Sequence, residues 1–382
     1  MSRYVVVKFG GSSFTRDSSY QAIANYIKQK VAAGHSVCVV VSAMSGTTGA
    51  LGELLDAVVG AARPQDRDAV LSTGEFLSSA LLCASLAQIG VTAKQLNAYN
   101  LGWITDDNFT AARLLHFPPE PLLAGFDDSQ VVVVAGGQAV TRGGDVTMLG
   151  RNSSDLTALV CASILGVGRA RIYSDVEGVY TADPYKVPEA RLIPTLSYDS
   201  AERYAQAGAK VLHPACLAFA RQHSIEIECA HYGQESQRTL VGSVISHVGT
   251  GVQLLFLNEE FLLWETAEKA EFERWQTDCR FHNVSFYSSQ LESRRIAVRS
   301  KEAASLSLGA ARSLRAGEQL LLSFDESNAT ALHVVADPDD VRQIHQRLVD
   351  GKNYLPVERA MFKNKSRHSR VYDQRPKEGA DG

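Results

Sequence analysis

Five short runs rich in Val and Ile constrain this chain more than any other feature: Tyr4–Phe9, Val37–Val41, Val131–Ala135, Arg171–Asp175 and Ile225–Ala230. Continuous apolar runs of this length, rather than alternating ones, suit strands buried on both faces. Helix-period segments lie between them. Tyr20, Ile23, Ala24, Ile27 and Val31 share one helical face, and Gly34 stops that helix. Gly74–Ile89 is a second helix, and Asp155–Leu165 a third, with Ser154 as its N-cap and Gly166 just past its end. Tyr198–Ala207 and Ala209–Gln222 make two more. Such alternation implies right-handed βαβ units, hence a three-layer α/β sandwich around a mainly parallel sheet. Residues 91–130 are less regular; Phe117-Pro-Pro-Glu-Pro121 breaks any helix there, and the segment reads as a connection.

Beyond Val252 the pattern changes to that of a smaller α+β domain. A strand (Val252–Leu257), an amphipathic helix (Glu259–Trp275) and two strands (Asn283–Tyr287, Arg295–Val298) come first. A helix (Lys301–Arg312), two strands (Gln319–Phe324, Ala331–Ala336) and a helix (Asp337–Leu348) follow. Asp337 and Pro338 suit the cap and first position of that last helix. The acidic stretch Glu259–Glu273 reads as a solvated face over an apolar stripe of Phe261, Leu262, Trp264 and Phe272. From Lys365 the chain is polar, with Pro and Gly, and disorder is expected. At 382 residues the chain exceeds one ordinary core, so the expected division is 1–246, 247–364 and a tail, 365–382.

A formal charge of −4 gives no reason to expect nucleic acid or an anionic membrane as partner. No apolar run approaches the roughly 20 residues of a bilayer span. The amino terminus enters a strand without the pattern of a secretory leader. The six cysteines lie scattered, without a Cys-x-x-Cys pair, and read as buried free thiols. A reduced cytoplasmic setting is expected from these features.

Several loops carry residues able to do chemistry. Lys8 closes the first strand and is followed by Phe-Gly-Gly-Ser. Two glycines after a strand let backbone amides face an anion while the Lys supplies charge; the same residues also suit an ordinary turn with Lys8 in solvent. Val41-Ser-Ala-Met-Ser-Gly-Thr-Thr48 could line a site or cap the next helix. Glu75 could simply favour the positive end of its helix. In the loop Arg142–Asp155, an Arg fork matches a carboxylate bidentately, which makes Arg151 the candidate grip on a substrate carboxylate. Tyr173-Ser-Asp-Val-Glu-Gly-Val-Tyr-Thr-Ala-Asp-Pro184 reads as a strand opening into a tight loop, where α/β sheets bind ligands. His213 reads as a structural residue before Pro214, and His35, His223 and His231 are equally isolated.

Taken with Val6-Val-Lys-Phe-Gly-Gly-Ser-Ser13, Gly150-Arg-Asn-Ser-Ser-Asp155 and Gly208-Ala-Lys-Val-Leu-His-Pro214, this chain resembles the aspartokinase branch of the amino-acid kinases over residues 4–230. The resemblance implies an amino-acid-kinase-like sandwich followed by a shortened ACT-like domain for regulation and dimerisation. It implies phosphorylation of the side-chain carboxylate of L-aspartate by ATP, giving 4-phospho-L-aspartate, in a homodimer. Mg²⁺ would be carried by the nucleotide, with no metal cage in the protein. A carboxylate acceptor is already ionised near neutral pH, so no general base is required.

By the same resemblance Lys8 stabilises the transferring phosphoryl group, with Gly10, Gly11 and Ser12 around the phosphates. Asp155 organises Lys8, the substrate amine or the metal-bound phosphates. Ser42, Thr48, Glu75, Arg151 and Ser154 fall at the amino-acid substrate, Glu75 on its ammonium group. Ser174, Asp175, Tyr180, Asp183 and Lys210 fall at the nucleotide. Three departures stand out: Asn152 and Ser153 replace glycines, Gly136-Gly-Gln-Ala139 replaces a Gly-Phe-Ile/Val-Gly run, and Tyr185 stands where relatives carry Arg, with Lys186 next to supply the charge. Two other readings follow: a kinase of the same fold acting on another carboxylic amino acid, and a catalytically impaired regulatory homologue.

Overall fold

A computed structural model describes residues 3–150, 153–206, 212–234, 236–243, 253–257, 261–282, 284, 286–289, 294–303, 305–308, 311, 314–324 and 330–350. In chain order the first part runs β1 (Tyr4–Phe9), α1 (Ser18–Ala32), β2 (Ser36–Val41), α2 (Thr47–Val59), α3 (Pro64–Gln88), β3 (Ala93–Leu96), α4 (Ala98–Leu101), β4 (Ile104–Thr105), β5 (Leu114–His116) and α5 (Glu120–Ala124). It continues with β6 (Val131–Ala135), β7 (Gln138–Thr141), β8 (Val146–Met148), α6 (Ser154–Ile164), β9 (Arg169–Tyr173), β10 (Thr195–Ser197), α7 (Tyr198–Gln206), α8 (Pro214–Gln222), β11 (Glu226–Ala230) and β12 (Arg238–Gly242).

The main sheet has the order β10-β12-β11-β9-β1-β2-β6-β3. Every neighbouring pair is parallel except β11–β12. Its strands are apolar on both faces because both are covered. Val6, Cys38, Val40, Val132 and Val134 pack toward α6, while Val7, Phe9, Val39, Val41 and Val133 join the core built with α1 and α3. Each such fully buried side chain stabilises the fold by about 1.5–3 kcal/mol. From β1 the chain crosses to β2 on one side, and β9 returns on the other. That reversal opens a crevice at the carboxyl ends of β1 and β9, the usual ligand position in such sheets. A second sheet, β5-β4-β7-β8, flanks it.

The carboxyl-terminal part contains β13 (Gln253–Leu257), β14 (Phe261–Thr266), α9 (Lys269–Phe281), β15 (Phe286–Ser289), β16 (Arg294–Arg299), α10 (Ser300–Ala303), β17 (Gln319–Phe324), β18 (Thr330–Val335) and α11 (Pro338–Val349). They form two three-stranded sheets, β13-β17-β18 and β14-β16-β15. The second unit is therefore nested within the first along the chain. The carboxyl-terminal part thus holds two small interleaved sheets where one smaller α+β domain was expected.

Several expectations are corrected. The helix expected at Glu259–Trp275 is a strand, β14, followed by α9. Phe261 and Leu263 pack on one side of β14, and Trp264 on the other with Leu262, so both faces are apolar and the strand imitates a helical stripe. The helix expected over Lys301–Arg312 is short in its described part, Ser300–Ala303. Ser154 is not an N-cap but the first residue of α6; Ser153 precedes it without a side-chain cap bond. Residues 91–130 are not a bare connection, since they supply two strands of the flanking sheet and one of the main sheet. Pro121 lies in the first turn of α5, where a missing N–H breaks no helical bond. Helix α2 was not foreseen, and α3 starts at Pro64, ahead of the expected Gly74.

At 25 residues α3 is also long and apolar enough, by length and composition alone, to cross a membrane. Yet it buries Asp68, Ser72, Glu75, Ser78 and Ser79 and packs on α1, α2 and β6, as an interior helix does. Cys38, Cys161, Cys216, Cys229 and Cys279 are buried free thiols, with Cys83 half-buried. The boundary expected at 246/247 and the tail 365–382 lie outside the described residues.

Candidate active site

Four loops leave the carboxyl ends of neighbouring strands, and the first amide of each hooks back to the adjacent strand. Gly10 N–H donates to Tyr173 O (3.2 Å), Ser42 N–H to Phe9 O (3.1 Å), Gly136 N–H to Val41 O (2.9 Å) and Ser174 N–H to Ala230 O (3.1 Å). This lacing gathers Lys8, Gly10, Ser42, Gly136 and Ser174 along one rim. The start of α6 points into the same rim. There Lys8 Nζ lies 2.7 Å from Asp155 Oδ1, with both side chains nearly out of water.

Two glycines permit close approach around this pair. A Cβ on Gly10 would stand 3.3 Å from Lys8 Nζ, so the missing side chain leaves room for the ammonium beside the loop. A Cβ on Gly11 would meet Ala43 O at 2.9 Å, which draws the loop after β1 against the loop after β2. Gly11–Ser13 forms a single 3₁₀ turn, with Ser12 exposed and the Ser13 hydroxyl buried without a partner. Ser13 was not singled out in the sequence, because nothing in a Ser-Ser pair tells which hydroxyl turns inward.

One side of the rim is built from α3, the loop after β2 and the start of α6. Gly74 lets α3 come close enough that an added Cβ would touch Ala43 Cβ at 3.0 Å. The next residue, Glu75, then accepts a bond from Ala43 N–H (3.2 Å) through Oε1. Its other oxygen, Oε2, is buried with no hydrogen-bond partner. Burial pushes the Glu75 carboxyl up to about 7, the Ala43 amide opposing that rise. Ser42 Oγ donates to Ser154 Oγ (3.1 Å). Thr48 is exposed in the first turn of α2. Arg151 and Asn152 lie outside the described residues.

Gly136 and Gly137 set the height of α6 above the sheet. A Cβ on Gly136 would sit 2.6 Å from Ser154 Cβ, and Gly137, at φ +74°, would meet Ser153 Oγ at 2.7 Å. Gly137 N–H donates to Thr157 Oγ1 (2.9 Å), tying the turn to the helix. Gln138 is buried and committed elsewhere: its Nε2 donates to Ser72 O (3.1 Å) and its Oε1 accepts from Ala98 N–H (3.2 Å). It joins α3 to α4.

In the loop after β9 Ser174 turns on itself, its Oγ donating to Val176 O (3.0 Å). Asp175 Oδ2 accepts from Tyr185 OH (3.1 Å), and Asp183 Oδ1 accepts from Tyr185 N–H (2.9 Å). Tyr180 is buried, its hydroxyl donating to Glu177 Oε2 (2.5 Å); burial, then the neighbouring Glu177, raises the phenol's pKa. Lys186 places its Nζ 4.1 Å from the centre of the Phe256 ring on β13. The structure thus groups Lys8, Gly10, Ser42, Glu75, Ser154 and Asp155 around the rim, whereas Tyr180 and Lys186 face the carboxyl-terminal part. Lys210 lies outside the described residues.

A profile of the amino acid kinase family matches residues 3–231. An aspartokinase of Geobacillus stearothermophilus is 37% identical over 242 residues, 63% of this chain and 60% of that protein. An aspartokinase of Pseudomonas aeruginosa is 37% identical over 237 residues, 62% of this chain and 58% of that one. The chain therefore spans about three-fifths of the length of the curated relatives it matches. Among solved structures, E. coli aspartokinase III in complex with aspartate and ADP (R-state) superposes with a TM-score of 0.66 at 21% identity. That match covers 90% of this chain and 99% of the other, so the likeness in fold extends through the small sheets. More than half of the sequence fits the family profile and the crevice lies where such a sheet reverses; the chain belongs to the amino acid kinase family.

Proposed function

We propose that this chain transfers the γ-phosphoryl group of ATP to the side-chain carboxylate of L-aspartate, giving 4-phospho-L-aspartate and ADP. A bond forms between the carboxylate oxygen and phosphorus while the bond from phosphorus to the β,γ-bridging oxygen breaks. No proton need be removed, since a carboxylate is ionised at neutral pH. Such chemistry depends on positioning and on neutralising charge.

The buried Lys8–Asp155 pair at the carboxyl end of β1 carries this reading. Lys8, Gly10, Gly11 and Ser12 would hold the transferring group, and Asp155 would keep the ammonium of Lys8 in place. Glu75 Oε2, buried without a partner, would receive the substrate ammonium group. Ser42, Thr48, Arg151 and Ser154 would complete the amino-acid site, Arg151 on the α-carboxylate. Ser174, Asp175, Tyr180, Asp183, Lys186 and Lys210 would serve the nucleotide, directly or through the backbone of their loop.

One buried carboxylate at the phosphate end suits a Mg²⁺ that arrives with ATP and keeps water and phosphate oxygens as most of its ligands. Bound there, the ion would neutralise charge on the phosphoryl oxygens. Among the described residues no group of three or more His, Cys, Asp or Glu side chains could hold a metal alone.

We also assign residues 1–246 to catalysis and 247–364 to regulation and pairing in a cytoplasmic homodimer. The 82% exposed ring of Phe281 on α9 supports a docking role for this part. Sedimentation equilibrium of the full chain at micromolar concentration should give a dimer; a monomer would refute the pairing.

Activity is tested by incubating the chain with Mg²⁺–ATP and individual amino acids, trapping acyl phosphate with hydroxylamine. Aspartyl hydroxamate should dominate. Faster turnover of glutamate or another acid would displace aspartate as the substrate.

A further inference from the structure

Asp68 is fully buried on α3, seven residues before Glu75 and so on the same face of the helix. Its Oδ2 accepts two backbone bonds, from Thr110 N–H (2.8 Å) and Met148 N–H (2.8 Å). Its Oδ1 is buried with no hydrogen-bond partner. Carboxylates so placed are costly, and desolvation raises the pKa of this one.

The two backbone segments that Asp68 joins are held to each other as well. Ala112 N–H donates to Met148 O (3.0 Å). Thr110 adopts φ +70°, a conformation that a β-branched residue rarely takes unless its surroundings impose it. Its carbonyl stands 3.8 Å from where a Cβ on Gly150 would lie, and Gly150 itself is at φ +92°. From there the chain is tied onward: Ser153 Oγ donates to Gly150 O (2.6 Å), and Leu149 N–H to Gly137 O (2.9 Å). The loop that carries Thr110 is braced by Asp106, whose Oδ1 accepts from Arg113 N–H (2.9 Å).

We propose that Asp68 is a positioning residue for the amino-acid substrate, holding Thr110 and Met148 so that Gly150 and Ser153, closed into a turn by the Ser153 Oγ bond to Gly150 O, stand at the amino-acid site. One rigid face of α3 then serves both groups on the substrate Cα: Glu75 its ammonium group and Asp68, through the backbone, its α-carboxylate. The two Cα atoms lie about 10 Å apart along the helix at 1.5 Å per residue. This inference rests on the reading of that turn as part of the amino-acid site.

The test is steady-state kinetics of the full chain carrying Asp68→Ala, Asp68→Asn or Arg151→Ala, with thermal melts alongside. Asp68→Ala should raise the KM for aspartate about tenfold or more and leave that for ATP within about twofold, as expected where a 1 Å displacement costs up to 10²-fold. Asp68→Asn should recover most of the loss, because one neutral carbonyl oxygen can accept both N–H groups. An equal rise in both KM values, or Asn as damaging as Ala, would overturn the proposal. Arg151→Ala separates the two levels. If it raises the aspartate KM while Asp68→Ala does not, only the role of Asp68 fails. If it leaves that KM unchanged, the reading of the turn itself fails. Should Asp68→Ala not fold, deuterium exchange decides: slow exchange at Thr110 and Met148 in both wild type and Asp68→Asn supports the bonds, and fast exchange in wild type overturns them.

Discussion

Lys8 and Asp155 form an ion pair that water barely reaches, and removal of one partner has two separable consequences. Lys8→Ala deletes the charge proposed to meet the phosphoryl group, so kcat should fall by at least 10²–10³, the usual loss for one donor to developing charge. It also strands a buried carboxylate, which costs about 3–5 kcal/mol of stability. Lys8→Met combined with Asp155→Leu should restore the stability without the activity. Denaturant melts beside the hydroxamate assay would reveal this; a double variant as unstable as Lys8→Ala would mean that the pair is not the source of the loss. Glu75 gives the second prediction. Its carboxyl titrates near 7 when folded against 4.5 normally. Because the folded value is raised, its contribution to stability is full below pH 4.5 and is lost as pH rises through 7. The difference of about 2.5 units amounts to about 3 kcal/mol. Glu75→Gln should therefore melt higher at pH 8. The wild-type KM for aspartate should fall between pH 6 and 8 as Glu75 ionises, and the Gln variant should show a raised, flat KM. A pH-dependent KM in Glu75→Gln would assign the titration to another group.

The height of α6 above the sheet depends on Gly136, whose missing side chain leaves room for Ser154 and for Val40. Gly136→Ala would bring Cβ to 2.6 Å from Ser154 Cβ and 2.9 Å from Val40 Cγ1. Neither neighbour is the tip of a flexible chain, so the helix must move, at about 1–3 kcal/mol. Asp155 moves with it. We expect kcat to drop roughly tenfold or more, in line with the sensitivity of catalysis to small displacements, together with a lower melting temperature; unchanged kcat would show that the pair tolerates the shift. The sequence pattern made the central strands legible because covering on both faces forces unbroken apolar runs, and β1 and β6 carry the bounds expected of them. Strand β9 was read two residues late, since Arg169 looks unlike part of a buried strand until Glu226 and Glu228 are seen beside it. Lys8, Glu75 and Asp155 were legible through motif resemblance. Asp68 was not, because an Asp followed by Ala and Val early in a helix is ordinary until Thr110 and Met148, distant in sequence, donate to it. Gln138 was read as a departure from the family pattern, and the structure shows both ends of its amide spent on Ser72 and Ala98.

Across the whole molecule, the segment after β9 is where the two parts meet. Tyr180, Ala182, Val187, Ala190 and Leu192 share one apolar cluster with Leu254, Leu321, Val335 and Val341. Backbone bonds reinforce it, with Leu254 N–H donating to Thr181 O (2.7 Å). Residues read as serving the nucleotide are therefore packed directly against the small sheets, and loosening one should loosen the other. His345 on α11 offers a way to do so with pH. It is fully buried, and its Nε2 pairs with Thr181 Oγ1 at 2.8 Å. Burial, helped by Arg191 and opposed by Glu189, lowers its pKa from 6.5 to about 4. Since the folded value is depressed, the stability it contributes is present above pH 6.5 and lost as pH falls through 4. The span of 2.5 units corresponds to about 3 kcal/mol. Carboxylates also begin to titrate in this range, so the comparison must be with His345→Leu, which lacks only the imidazole. Wild type should lose about that much more stability than the variant between pH 6.5 and 4 in denaturant melts, and its KM for ATP should rise over that range more than that of His345→Leu. Parallel stability curves would place the acid sensitivity elsewhere. If the melts diverged while the KM for ATP rose equally in wild type and His345→Leu, His345 would bear on stability without reaching the loop after β9.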